Sequence, residues 1–421
     1  MQSLTSFESL ARPFVFVLVF ALLSLNTFAS DHMIRLLVAG DPFAIALQNA
    51  QPELEARYGG NIEINIVGYN DMRTLALLNA QDAVSDYDII SFDVLWIGEL
   101  FDAMALTSLN EYIMQAPELD TDDFLTAAYR ASQYGDQQLG LPIQPHPELL
   151  WYRVDLFEQA NIDPPRTTDD VLQAASQLHD PESELYGICW NAQRRQPLGQ
   201  QIAHFYGAFG QPLFDDDGQP TLNTERGLAA AEYALALMAY SPPDILTMAW
   251  DQRILRFASG KCAMTYGWGA RSYFVENDPS SEVAGLVGYL PAPHAPSAEP
   301  VTPIGTWSLG IPANLGERTP LAWDFLAWLS SSEIQTLLAG YGNGGMPRQS
   351  VITDETLTAA YPAFAVVSRL DQDSQLADWM RPPVAGWSDL EVILGTVFHN
   401  MLINQITPQQ AIEEAQHQAD N

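Results

Sequence analysis

The strongest constraint on this chain is an alternation near its start. Residues 34–39 form a short apolar run ending at Gly40-Asp41, and a helical pattern follows over 42–58. Residues 61–68 then alternate through Ile62, Ile64 and Ile66, residues 71–80 read as a second helix, and YDIISF (87–92) ends at Asp93. Period-two or short apolar runs predict strands, and the longer 3.6-period segments predict helices. A strand-helix-strand-helix-strand order calls for a parallel sheet, because each return to a parallel neighbour needs a crossover that packs on the sheet face. The fold class is therefore α/β, with sheets flanked by helices. Ligands in such sheets sit beyond the carboxyl ends of the strands. Asp41 and Asp93 both fall there and become candidate site residues.

The pattern changes at LGLPIQ (139–144), and a new strand is expected over 149–154. Pro164-Pro165 marks a turn, and Thr167 is placed to cap a helix reaching Leu178. Helices are expected over 199–209 and 225–239, and strands over 186–190, 262–266 and 304–311. Asp215-Asp216-Asp217-Gly218 lacks the spacing and terminal Glu of a calcium loop and reads as a solvated turn. Thr319-Pro320 opens a helix to Leu329, Tyr341 to Gly345 is a glycine-rich loop, and Trp387 leads an amphipathic helix. Thr407 and Gln410 form a capping box for the last helix.

Length and charge narrow the class. A chain of 421 residues argues for two or three domains. Its 52 Asp and Glu against 18 Lys and Arg give a net charge of −34, which excludes a nucleic-acid partner, since a polyanion needs clustered cations. Only one of those cations is a lysine, Lys261, and lysine depletion beside abundant carboxylates reads as adaptation to high salt. An ordinary acidic secreted protein, or one with a cationic ligand, is the alternative. Residues 14–25 are almost wholly apolar, follow Arg12, and precede small residues at Thr27 and Ala29. This is the pattern of a cleaved signal peptide over 1–29, too short to span a bilayer comfortably. Cys189 and Cys262 would then meet an oxidising compartment. Both fall in buried-looking strands, and free thiols are the favoured reading over a bridge.

Catalytic and cofactor signals are missing. The sequence has no G-x-S-x-G, H-E-x-x-H, Walker loop or post-strand G-x-G-x-x-G. Its seven histidines lack metal-ligand spacing. No metal or cofactor is expected, and the balance falls toward a protein that is not an enzyme.

Five stretches together resemble the family 1 extracellular solute-binding proteins of ABC sugar importers, the maltose-binding-protein-like group. They are YDIISFDVLWIGELFDAMALTSLNEY (87–112), LGLPIQPHPELLWYRVDLFEQANIDPPRTTDDVLQAA (139–175), RFASGKCAMTYGWGA (256–270), the 305–351 segment beginning GTWSLGIP, and the 381–416 segment beginning RPPVAGWSDL. They occur in family order, with Arg153 standing where the family usually has Asn. The resemblance implies a two-lobe fold with a hinge and an interlobe cleft, the chain crossing near Pro142, Leu290 and Leu329. The N-lobe would comprise 31–143 plus 290–330 and the C-lobe 144–289 plus 331–421. It further implies a periplasmic monomer that closes on its ligand and docks on membrane permease subunits.

A sugar or polyol offers apolar C–H faces and a rim of hydroxyls. Aromatic rings cover the faces, while carboxylates, Arg and His meet the hydroxyls. On that chemistry the resemblance nominates Trp96, Trp190, Trp268, Trp307 and Trp387 for stacking. Asp41, Asp93, His146, Glu148, Arg271 and Arg348 are nominated for hydroxyl contacts. Trp323 and Trp328 lie beside Phe325 and Leu326 in one helix and are assigned to packing. Two rivals remain. A polyamine or cationic-osmolyte receptor would need an aromatic box without a cleft arginine. A secreted glycoside hydrolase would need two carboxylates facing across a cleft. A receptor reporting to a chemosensor would share the same fold.

Overall fold

The computed structural model describes residues 33–215, 217–377, 384 and 386–421. The expected signal segment 1–29, Asp216 of the aspartate turn, and the opening of the fifth family-like stretch lie outside the described residues. The first unit is strand β1 (Met33–Ala39), helix α1 (Pro42–Tyr58), strand β2 (Asn61–Val67), helix α2 (Tyr69–Asn79) and strand β3 (Ile89–Asp93). β1 pairs in parallel with both β2 and β3, as the alternation requires. Leu36, Leu37 and Val38 are fully buried because helices cover both faces of this sheet.

The next strand departs from expectation. β4 runs unbroken over Leu141–Arg153, joining the interruption at 139–144 to the strand expected at 149–154. Pro142, Pro145 and Pro147 cannot donate to a sheet ladder, so the sequence reads as broken there. The structure accommodates them because all three lie in the half of β4 that has a ladder partner on one side only, so their missing donors can face the unpaired side. Its first half pairs antiparallel with a later strand, and its second half, from Glu148, pairs with two others. A register shift opposite residues 142–144 falls within the proline-bearing half.

The further elements that frame the site, in chain order, include α3 (Thr168–Leu178), β5 (Tyr186–Cys189), α4 (Gln196–Ala208), α5 (Glu225–Leu237), α6 (Trp250–Ala258), β6 (Cys262–Trp268), β7 (Val287–Leu290), β8 (Thr302–Gly310), α7 (Ser332–Gly340), α8 (Ala363–Gln372), α9 (Trp387–Leu402) and α10 (Pro408–Ala419). The sheet order is β2-β1-β3-β8-β4-β6-β5, with β7 also on β4. One half of the sheet is thus β2-β1-β3-β8 with the start of β4, and the other is the end of β4 with β6, β5 and β7. The neighbour switch in β4 lies at Pro147–Glu148, a little beyond Pro142. The chain returns to the first half between β7 and β8, just past Leu290. α7 packs on α1. Capping boxes at Thr167–Asp170 and Thr407–Gln410 start α3 and α10 as their sequences predict. Among the described residues no helix is long and apolar enough to cross a membrane.

Two helices approach unusually closely. α4 and α9 pack together, and a methyl group on Gly199 would overlap the Glu391 carbonyl, while one on Gly395 would overlap that of Arg195. Only glycine permits this approach, which brings Gln200 and Glu391 onto one wall.

The thiols are also not as expected. Cys189, ending β5, and Cys262, opening β6, are joined in a disulfide that spans 73 residues. Burial was read correctly, since both are fully buried, but adjacency of β5 and β6 brings the two sulfurs together. Closing a loop of that length removes chain entropy from the unfolded state, worth about 4 kcal/mol. Thiol titration of the unfolded, unreduced protein should therefore find no free cysteine. The Cys189→Ser/Cys262→Ser double variant should unfold at lower denaturant concentration; titration of two free thiols would contradict the bridge.

Candidate functional site

A cavity of about 240 Å³ opens between the two halves of the sheet. The first half supplies Gly40 and Asp41 after β1, Tyr69 after β2, Asp93 ending β3, and Trp307 on β8. All but Trp307, which lies within β8, are strand-end positions, as the topology demands. Across the opening stand His146 on β4, Gln200 on α4, Trp250 and Asp251 at the start of α6, Trp268 ending β6, Arg271 one turn later, and Glu391 on α9.

Asp41 is the hub of this site. Its Oδ2 accepts from the Trp307 indole N–H at 3.0 Å, and its Oδ1 accepts from the Gln144 amide at 3.0 Å. Gln144 in turn accepts the Phe43 backbone N–H at 2.6 Å, fixing the first turn of α1. Arg271 Nη1 lies 3.4 Å from Asp41 Oδ1, and its Nε donates to Asp251 Oδ1 at 2.9 Å. Burial would lower the Arg271 pKa, but Asp41 and Asp251 outweigh burial and raise it, so the guanidinium stays charged. The register sets Asp93, Trp307 and Gln144 side by side on β3, β8 and β4. Asp93 accepts the Tyr69 hydroxyl at 3.2 Å and the Leu95 N–H at 3.4 Å.

The rings form two groups. Tyr69 lies 5.7 Å from Trp250 and meets Trp307 edge-on at 5.9 Å. Trp268 is met edge-on by His146 at 4.7 Å and His204 at 5.3 Å. His146 is oriented by donating from Nδ1 to the Gln144 carbonyl at 2.9 Å, and Trp250 donates its indole N–H to Gln200. The wall therefore combines aromatic faces, charged acceptors and a planar donor, with most side chains held by neighbours before any ligand arrives.

Of the sequence-nominated residues, the structure brings together Asp41, Asp93, His146, Trp268, Arg271 and Trp307 at this cavity. The other five are elsewhere. Trp96 lies behind the wall, packed 5.1 Å from Tyr69 and 5.5 Å from Trp307, because the turn after β3 carries it inward. Trp190 is fully buried and donates to Ser241 Oγ at 2.9 Å. Trp387 is buried at the start of α9 and faces Phe214; Glu391, one turn on, reaches the cavity instead. Arg348 is 2% exposed and serves as a cross-brace. It donates to the carbonyls of Ser330, Asp120 and Leu119, pairs with Asp123 at 3.2 Å, and lies over the Phe124 ring.

Glu148 lies off the cavity lining. It is 1% exposed and pairs with His204 and, at 2.7 Å, with Arg253, which is itself fully buried. Gln201 bridges them, donating to Glu148 at 3.2 Å and accepting from Arg253 at 3.1 Å. Burial alone would push the Glu148 carboxyl up, but His204 and Arg253 outweigh it and hold the pKa at about 2. This charge network stands behind Trp268, whose backbone pairs with Glu148, so it supports the indole.

Sequence reasoning missed Tyr69, Trp250, Asp251, Gln200 and Glu391. The strand-end rule applied to β2 would have found Tyr69. Trp250-Asp251 opening an amphipathic helix was a weaker signal, and Gln200 and Glu391 depend on a helix crossing that no local pattern shows.

The fold is a two-lobe, mixed α/β architecture with a cavity between its halves. A family model described as bacterial extracellular solute-binding protein matches residues 40–336, and the chain belongs to that family. It is 26% identical over 314 residues to the mannitol-binding protein of Pseudomonas aeruginosa, covering 70% of this chain and 71% of that one. A solute-binding protein from Agrobacterium radiobacter K84, crystallised with ribitol, superposes with a TM-score of 0.85 at 26% identity, covering 92% of this chain and 98% of that chain. A maltose-bound protein of Thermotoga maritima shares the fold, with a TM-score of 0.81 at 21% identity, covering 92% of this chain and 99% of that chain.

The pairing of Glu148 sets a pH limit. Its folded pKa of about 2 lies below the unfolded value of about 4.3, so its contribution is complete above that unfolded value and is lost as pH falls toward 2. Glu148→Gln should destabilise the protein by about 3–5 kcal/mol in urea melts at pH 7, because it leaves Arg253 buried and unpaired. The deficit should shrink as wild type and variant are compared at decreasing pH. A variant with wild-type stability would contradict a structural role.

Proposed function

We propose that this protein is the solute-binding component of an ABC importer and holds a neutral carbohydrate or polyol in the Asp41–Trp268–Trp307 cavity. The observation that carries this reading is the composition of one wall system: aromatic rings for C–H faces, beside buried carboxylates and an arginine for hydroxyls. Family membership and the mannitol- and ribitol-binding relatives support it. Arg271 in the wall weighs against the cationic-ligand rival. The ligand is held and released unaltered, so the glycoside hydrolase rival predicts turnover of aryl glycosides where this reading predicts none.

On this reading the two halves close as lobes, with the N-lobe at about 31–143 plus 290–330 and the C-lobe at about 144–289 plus 331–421. The packing of α7 on α1 supports a last boundary past Gly340. The lobes turn on β4, the 291–301 connection and the segment beyond α7. The mature chain, freed of its 1–29 segment, works in the periplasm as a monomer and presents its closed form to permease subunits.

A thermal-shift screen over polyols, monosaccharides, disaccharides and diamines should show stabilisation by a member of the first two groups, since ligand binding to the folded state alone raises apparent stability. For that ligand, Trp268→Ala should weaken binding by about 1.5 kcal/mol or more, roughly tenfold, in titration calorimetry. Unchanged affinity would remove Trp268 from the site. Stabilisation by diamines alone would favour the rival.

A further inference from the structure

The proposed cavity carries an unresolved charge contrast. Four carboxylates line it, from Asp41, Asp93, Asp251 and Glu391, alongside aromatic rings. Ring faces edged by carboxylates are the chemistry that holds an organic cation, by cation–π attraction and ion pairing. A neutral guest gains nothing from so much negative charge beyond acceptor oxygens. Something in the wall must decide between the two classes of ligand.

Arg271 is placed to do so. It reaches the cavity from the turn after β6 and faces acids from both halves, Asp41 after β1 and Asp251 on α6. A guanidinium stays charged in any such setting. Arg253 cannot take this part, because it is fully buried and its charge is matched by Glu148. Asp41 is further engaged by Trp307 and Gln144, so its lone pairs are largely committed. An ammonium group entering the cavity would meet a fixed positive charge where it needs a carboxylate. A hydroxyl group meets what it needs from either, since it can donate to a carboxylate and accept from the Arg271 Nη2.

We infer that Arg271 sets the charge class of the ligand: by occupying Asp41 and Asp251 it reserves an acid-lined aromatic cavity for neutral polyhydroxy molecules and excludes organic cations. The inference rests on the functional reading above. Without Arg271 the same wall is a diamine site.

The test is titration calorimetry with ribitol, D-mannitol and putrescine, at fixed ionic strength, on wild type, Arg271→Gln and Arg271→Lys. Thermal melts establish that each variant folds, and Arg271→Met replaces the glutamine variant if that one does not. Wild type should bind a polyol and show no putrescine binding at millimolar concentration. Arg271→Gln should lose polyol affinity and gain putrescine affinity, each by roughly tenfold or more, given the strength of a charge contact in a shielded site. Arg271→Lys, which keeps the charge, should still exclude putrescine. An Arg271→Gln protein that binds putrescine no better than wild type overturns the inference, as does a wild type that binds putrescine as tightly as a polyol. A wild type that binds no polyol or sugar overturns the functional reading instead, and the putrescine comparison still decides the part played by Arg271.

Discussion

One carboxylate ties together the segments that make the site. Asp41 follows the first strand and stands at the N-cap position of the first helix, but its side chain is held by Gln144 from β4, by Trp307 from β8, and by Arg271 from the turn after β6. Each partner comes from a different stretch of chain. The carboxylate holds the Trp307 indole, pairs with the Arg271 guanidinium, and links the two halves of the sheet. Replacing it with an apolar side chain would leave an indole N–H and an amide without their acceptor and a guanidinium without one of its counter-charges, so the cost would spread over the whole wall.

Two arginines divide the electrostatic work. Arg253 is sealed in the core, where burial lowers its pKa against the pull of Glu148. Arg271 remains at the cavity edge with two acid partners. The first holds the support behind Trp268, and the second lines the cavity. A buried pair is a poor source of net stability but is costly to break, which suits a scaffold that must keep an aromatic plate in one orientation. The closely packed α4 and α9, joined through Gly199 and Gly395, play the same part for Gln200 and Glu391.

The α/β frame was legible because its signals are local. Alternation at Ile62, Ile64 and Ile66 and the caps at Thr167 and Thr407 depend on near neighbours, and each element forms where those patterns place it. The strand-end rule located Asp41 and Asp93 for the same reason. Reasoning failed where partners are distant in sequence. Three prolines broke β4 on paper, although a half-strand with a ladder partner on one side only can spare those donors. Glu148 and Arg348 looked like polar cleft residues until Arg253 and Asp123 were seen beside them. Trp190 and Trp387 are aromatic and near strand or helix ends, and only the packing of α4 and of the 214 turn against them shows that they are core.

The central claim is that a neutral hydroxyl-rich molecule rests between Trp268 and Trp307, with Asp41 and Arg271 at its rim. A crystal structure of the protein grown with the most stabilising polyol or monosaccharide tests it most directly. The account predicts density for that molecule in contact with both indoles and within hydrogen-bond distance of Arg271. Density at any other place, with this cavity filled only by solvent, would contradict it.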